Sequence, residues 1–368
     1  MKSLLRLLLK SQHQRHCSGL AQTDKGMTLV ELLVGSIMAF LIITPMLAFV
    51  VDMLNTDRRE QVKSNTEQDI QAAANFIAQD LSQAIYIYDN NPATTTSATT
   101  TPTGIPAIQN FIPPPDLNQT PILVFWKRQV LQNSLPITSG IEPANCDTNP
   151  CNDTYVLSLV AYYKIRETDP NSIWCQPSGG TCPTRIVRYQ IKDGVRNPYS
   201  TDPDPSKRYY TNVTDAQKAS SAFNQGSATE AGFDITKPTE KVTKPASFVT
   251  LNNREVPGAV LVNYIDDSSS QPPNGPPVIA NECTIALGNP TTQTGTPIPE
   301  GTLKITDTLN NINSFYACVD TARNIARVTI RGNSLRRLQP TYTDYKAEAA
   351  AYFPTASVQV QGRGARGE

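Results

Sequence analysis

From Leu32 to Val51 the chain carries no charged residue. A helix of these about 20 positions, rising 1.5 Å per residue, matches the ~30 Å hydrocarbon core of a bilayer. This run is expected to be a membrane-spanning helix, and it constrains everything that follows. Glu31 stands at its start. A carboxylate beside apolar sequence is costly in a membrane and calls for a partner. Pro45 lies inside the run; it lacks an N–H and is expected to kink the helix or open it locally.

Beyond Asp52 the sequence turns polar but keeps a helical period. Val62, Ile70, Ala73, Ala74, Ile77, Leu81, Ala84, Ile85 and Tyr88 recur at spacings of three and four, with one gap at Thr66. This is an amphipathic helix. Uninterrupted except by Pro45, it is expected to continue the apolar run for about 60 residues, roughly 90 Å. It stops at Asp89-Asn90-Asn91-Pro92. The charge cluster Asp57-Arg58-Arg59-Glu60 reads as a solvated collar where the helix leaves the bilayer.

Charge and histidine narrow the function. The chain holds 32 basic and 32 acidic side chains. Residues 1–26 take Lys2, Arg6, Lys10, Arg15 and Lys25 against Asp24 alone, so the remainder is mildly acidic. That balance points away from a general nucleic-acid partner. The basic stretch before the apolar run places the N-terminus in the cytoplasm and the C-terminal domain outside, a single pass of the plasma membrane. The only histidines are His13 and His16. If residues 1–26 are removed, Ser-His-Asp chemistry, Cys-His chemistry and His-ligated metal sites are excluded. No nucleophile motif is present, so no enzyme, catalytic residue, metal site or cofactor is expected.

The cysteines point to compartment. Without Cys17 six remain, in local pairs: Cys146 with Cys151, Cys175 with Cys182, and Cys283 with Cys318. Six cysteines allow fifteen pairings; these three are the expected disulfides. Short loops closed this way fit an oxidising space such as the periplasm or the cell exterior. Zinc is the competing reading, and spacings of C-x₄-C and C-x₆-C speak against it.

Lys25-Gly26-Met27-Thr28-Leu29-Val30-Glu31 resembles the processing site of type IV prepilins and pseudopilins. The resemblance implies that a membrane prepilin peptidase cuts after Gly26 and methylates the new N-terminus, Met27. A residue without Cβ lets a protease approach the backbone closely. Phenylalanine is the family's commonest first residue; methionine stands here. The resemblance also implies that Glu31, fifth after the cut, neutralises the amine of Met27 on a neighbouring subunit during filament assembly. Pro45 then reads either as a plain membrane kink or as a point of melting during extraction.

The rest of the chain reads as strands and long loops. Residues 121–131, 154–165, 185–192, 258–266, 314–319, 324–331 and 355–361 are expected strands. Residues 154–165 are apolar on both faces, as in a central strand. The segments 93–106 and 197–257 are expected as a surface loop and a long insertion. The expected class is α+β: a pilin-like long N-terminal helix, membrane-spanning in its first half, packed on an antiparallel sheet. The expected division is 1–26 leader, 27–51 membrane half, 52–89 amphipathic half, 90–362 β-rich domain with loop insertions, and 363–368 basic tail.

A narrower resemblance rests on Asn55-Thr56-Asp57-Arg58-Arg59-Glu60-Gln61, Gln79-Asp80-Leu81, Ala84 to Asp89, Val124-Phe125-Trp126-Lys127-Arg128 and Tyr352 to Gly364. These are similar to the C-type hormogonium polysaccharide secretion pseudopilins of filamentous cyanobacteria. That implies a minor pilin or pseudopilin of a type IV pilus-like system for gliding motility and polysaccharide secretion. Its implied partners are other pilins, the prepilin peptidase and the inner-membrane assembly platform. The alternative is a filament-tip binding module, an adhesin or a receptor for DNA or another polyanion. For that role Arg327, Arg331, Arg336 and Arg337 are the candidate residues, with an acidic polysaccharide as candidate ligand; an exposed strand face without a ligand is the competing reading. Arg363 and Arg366 extend the basic character into the tail. Asp202 with Asp204, and Asp266 with Asp267, read as turns rather than calcium loops. Asn118, Asn152 and Asn212 sit in N-x-T sequons.

Overall fold

A computed structural model of the chain describes residues 28–91, 104–108, 112, 115, 117–192, 195–203, 208, 210, 258–269, 279–341 and 343–363. Gly26, Met27, Asp204, Asn212, Arg366 and nearly all of the 197–257 insertion lie outside these residues. The chain divides into two compact units, Met1–Arg58 and Arg59–Glu368.

The described part of the first unit is helical. The helix α1 (Leu29–Leu81) begins there and continues through Pro45. Its N-terminus is capped by Thr28, whose Oγ1 accepts the Glu31 N–H at 3.3 Å. Every large apolar side chain from Leu29 to Leu54 is between 46% and 83% exposed.

The described residues of the second unit contain the remainder of α1 and nine strands, and the unit is α+β. The strands are β1 (Ala84–Ile87), β2 (Gln119–Pro136), β3 (Cys151–Arg166), β4 (Thr184–Lys192) and β5 (Ala259–Ile265), then β6 (Lys304–Asp307), β7 (Ile312–Asp320), β8 (Ile325–Arg331) and β9 (Thr355–Gln361). They form two antiparallel sheets rather than the single sheet expected, β1-β2-β3-β4-β5 and β6-β7-β8-β9. The sheets meet where Ile265 bridges Gly332 and Asp266 N donates to Arg331 O at 3.0 Å. Strand β3 is central in its sheet, as its two apolar faces require. The short strand β6 has no period long enough to read from sequence.

The helix ends earlier than its period suggests. After Leu81 the chain turns through Ser82 and Gln83 and becomes the edge strand β1. Leu81, Ala84, Ile87 and Tyr88 are all fully buried, and their spacing imitates a helical face. Ile85-Tyr86-Ile87-Tyr88 is β-branched and aromatic, which favours a pleated surface. Pairing with β2 decides the outcome, and Tyr88 N continues it by donating to Val124 O at 3.0 Å. The expected amphipathic half, 52–89, is therefore helix only to Leu81.

On α1 the buried stripe is Thr66, Ile70, Ala73, Ala74, Ile77, Asp80 and Leu81. Burying Ile70, Ile77 and Leu81 contributes about 1.5–3 kcal/mol each relative to exposure. The gap at Thr66 is a contact point. The Thr66 hydroxyl donates back to Val62 O at 2.9 Å, which satisfies it in the core. Its methyl faces Gly332, where an added Cβ would lie 2.7 Å away, and Ile70 Cγ2 would lie at 3.2 Å. Gly332→Val is therefore expected to destabilise the unit by about 1–3 kcal/mol through overpacking. Urea unfolding of the variant checks this; an unchanged midpoint would mean that helix and sheet shift apart without strain.

Most of the core is one cluster joining α1 to both sheets, with Trp126, Phe125, Tyr162 and Phe315 among its largest members. Trp126 Nε1 donates to Tyr88 Oη at 2.9 Å, so the buried indole is satisfied.

Candidate functional site

The apolar stretch of α1 is the most unusual surface of the chain. Contiguous apolar surface of this size marks a contact with a membrane or another protein. It belongs to the one described helix long and apolar enough to cross a membrane. Its polar side chains turn inward on the helix: Ser36 Oγ donates to Leu33 O and Thr44 Oγ1 to Phe40 O, both at 2.8 Å. Hydroxyls satisfied this way are tolerated in hydrocarbon. Pro45 leaves the Leu41 carbonyl without its usual donor. Glu31 is exposed in the first turn, where a carboxylate complements the positive end of the helix dipole. Gly35 has open space where a Cβ would stand.

In the second unit, the charges that matter for folding lie on strands facing α1. Asp80 is 5% exposed and sits in the last turn of the helix. A carboxylate there opposes the dipole, so its partners must come from elsewhere. Lys127 Nζ of β2 donates to its Oδ1 at 2.6 Å. Tyr162 Oη of β3 and Arg188 Nε of β4 both donate to its Oδ2 at 2.7 Å. One carboxylate thus pins three adjacent strands to the helix. Burial works against its ionisation, but the bonds from Arg188, Lys127 and Tyr162 prevail and hold it below the usual carboxylate range.

A second cluster ties the two sheets together. Lys164 of β3, 3% exposed, lies 2.8 Å from Asp267 Oδ1 and 3.0 Å from Asp307 Oδ2 of β6. Arg166 shares Asp267, and Asn310 donates to Asp307. Burial opposes ionisation of Asp307, yet the Lys164 charge and the Asn310 bonds keep its carboxyl low. Asp266 is buried and takes Arg331 Nε at 2.8 Å and Ser268 Oγ at 2.6 Å. Burial pushes the Asp266 carboxyl up in spite of Arg331. Asp266 and Asp267 therefore point to different cations, and no group of carboxylates that could hold a metal ion occurs among the described residues.

The four candidate arginines do not form a free patch. Arg331 is engaged by Asp266. Arg336 is 3% exposed and donates to the Thr181 and Pro177 carbonyls. Arg337 pairs with Asp69 of α1 and stacks 4.6 Å from the Tyr264 ring. Arg327 is half-buried and donates to Ser357 Oγ at 2.9 Å. The alternation that puts Arg327 and Arg331 on one strand face is correct, but burial at the sheet junction uses most of the charge.

The cysteine pairs form as expected: Cys146–Cys151, Cys175–Cys182 and Cys283–Cys318. Asn118 and Asn152 are exposed. The sequence reading missed the roles of Asp80, Lys127, Arg188 and Lys164. A signal existed: Asp80 falls in phase with Ile77 and Leu81 on the apolar stripe, and each cation interrupts an apolar strand. Compared with protein-family models, curated proteins and solved structures, the chain has no match.

Proposed function

We propose that the protein is a membrane-anchored, pilin-like assembly subunit: a minor pilin or pseudopilin of a type IV pilus-like filament that serves polysaccharide secretion and gliding motility. One observation carries the reading. A single 53-residue helix exposes every large apolar side chain from Leu29 to Leu54 and buries a stripe from Thr66 to Leu81 within an α+β unit. Such a helix serves as a bilayer anchor before assembly and as packing surface among its own kind afterwards. The prepilin-like sequence at Gly26–Glu31 supports the same reading, as do three disulfides suited to an oxidising compartment. On this reading the N-terminus is cytoplasmic and the Arg59–Glu368 unit extracytoplasmic. The partners are other pilins, the prepilin peptidase and the assembly platform, and no catalysis is assigned. The alternative of a tip-borne polyanion receptor is weakened because Arg331, Arg336 and Arg337 are already engaged.

Mass spectrometry of the membrane-extracted protein tests the reading. The expected N-terminal peptide begins at an N-methylated Met27. A peptide that retains residues 1–26 would contradict processing and, with it, the assembly role.

A further inference from the structure

Two adjacent arginines leave one short turn, Leu335–Leu338, for different partners. Arg336 reaches the loop closed by Cys175–Cys182, donating from Nε to Thr181 O at 2.7 Å and from Nη2 to Pro177 O at 2.9 Å. Arg337 goes to α1, pairing with Asp69. Farther along, the Tyr352 ring receives Lys63 of α1, with Nζ 4.5 Å from its centroid. The segment that begins at Leu335 thus touches both the disulfide loop and the helix.

A buried guanidinium usually has a carboxylate. Among the described residues none pairs with Arg336, which is 3% exposed and whose Nη1 has no hydrogen-bond partner. Its charge rests on two loop carbonyls. Burial holds this guanidinium below its usual range. The loop also lies directly on the segment, since a Cβ on Gly180 would meet Pro340 O at 2.0 Å. Among the described residues, the hydrogen bonds that the Arg336 side chain makes both go to the loop.

We propose that the Cys175–Cys182 disulfide is a latch: closing it assembles the carbonyl pair that seats Arg336, and seated Arg336 fixes the segment that straps α1. In the closing step two thiols lose two protons and two electrons as the Sγ–Sγ bond forms. A disulfide-bearing oxidant of the thiol–disulfide oxidoreductase class accepts them and becomes a dithiol. The geometry of the latch stands without the assembly reading. Its timing, after the unit leaves a reducing compartment, rests on that reading.

Hydrogen exchange on the full-length protein in detergent tests it. In Cys175→Ser/Cys182→Ser, amides of residues 333–353 and of α1 from 60 to 72 are expected to exchange about tenfold faster, while the centre of the five-stranded sheet is unchanged. Arg336→Met is expected to give the same local acceleration with the disulfide intact. Cys146→Ser/Cys151→Ser is expected to leave the segment as it was. Exchange within twofold of the parent in the Cys175/Cys182 variant would overturn the latch. So would loss of protection throughout both sheets, because a latch acts locally. An intact N-terminal leader would leave these outcomes unaffected, so the two readings fail separately.

Discussion

Asp80→Ala is expected to destabilise the Arg59–Glu368 unit by about 3–5 kcal/mol, the effect of removing one partner from a buried ionic group. The substitution strips Lys127 and Arg188 of their shared carboxylate, and both side chains are largely buried. It also takes an acceptor from the Tyr162 hydroxyl. Marginal stability makes such a loss large, since whole domains are stable by only about 5–15 kcal/mol. Urea unfolding followed by tryptophan fluorescence checks it, because Trp126 sits in the same core. A loss below about 1 kcal/mol, the worth of an exposed pair, would mean that water reaches and screens the cluster. The same carboxylate gives a pH dependence of definite sign. Its native pKa is lowered, so the unfolded chain binds more protons wherever the two states differ. The contribution is complete above the unfolded value of about 4 and fades as pH falls through the lower native value. Glu167 acts in the same direction. Burial opposes its ionisation, but bonds from the Asp169 backbone, Arg185 and Ser172 pull its carboxyl down to about 2.

On the assembly reading, Glu31→Val is expected to abolish incorporation into filaments and leave folding untouched. Glu31 lies in the first turn of α1, exposed, with only its backbone N–H bound to Thr28. In hydrocarbon an unpaired carboxylate costs roughly 2.5–3.5 kcal/mol on insertion scales, so valine makes the anchor more comfortable. A gain in anchoring joined to a loss of assembly is the distinguishing result. It is read by comparing membrane-bound and sheared-filament fractions, with unfolding of the variant as control. Undiminished recovery in the filament fraction would show that the carboxylate serves no neighbour.

The two halves of the molecule were unequally legible. The apolar run from Leu32 to Val51 could be read directly because length and lack of charge suffice to define a span. The central strand β3 and the β7–β8 hairpin were legible because two-residue alternation survives in them. The end of α1 was not, since Ala84, Ile87 and Tyr88 satisfy both periods and only pairing with β2 separates them. The split into two sheets was hidden because it depends on which strands pair, with β5 and β6 as edges of different sheets, and no periodicity within one strand carries that information. The arginines illustrate the limit at the candidate site. Strand alternation placed Arg327 and Arg331 on one face, but whether that charge faces solvent was decided by Asp266, 65 residues from Arg331.

The three disulfides differ in what they do to the unfolded chain. Two close loops of sequence separation 5 and 7, whereas Cys283–Cys318 spans 35. By loop-closure entropy the short bonds are worth about 2 kcal/mol each and the long one about 4 kcal/mol. The unfolded ensemble is therefore restrained chiefly near its C-terminal third. There the long bond keeps the Glu282–Ala286 turn within reach of β7 even when the sheets are melted. With the bond intact, that region unfolds and refolds as a closed ring. The Leu287 carbonyl that accepts from Arg323 then stays tethered near the β7–β8 turn even when the sheets are melted.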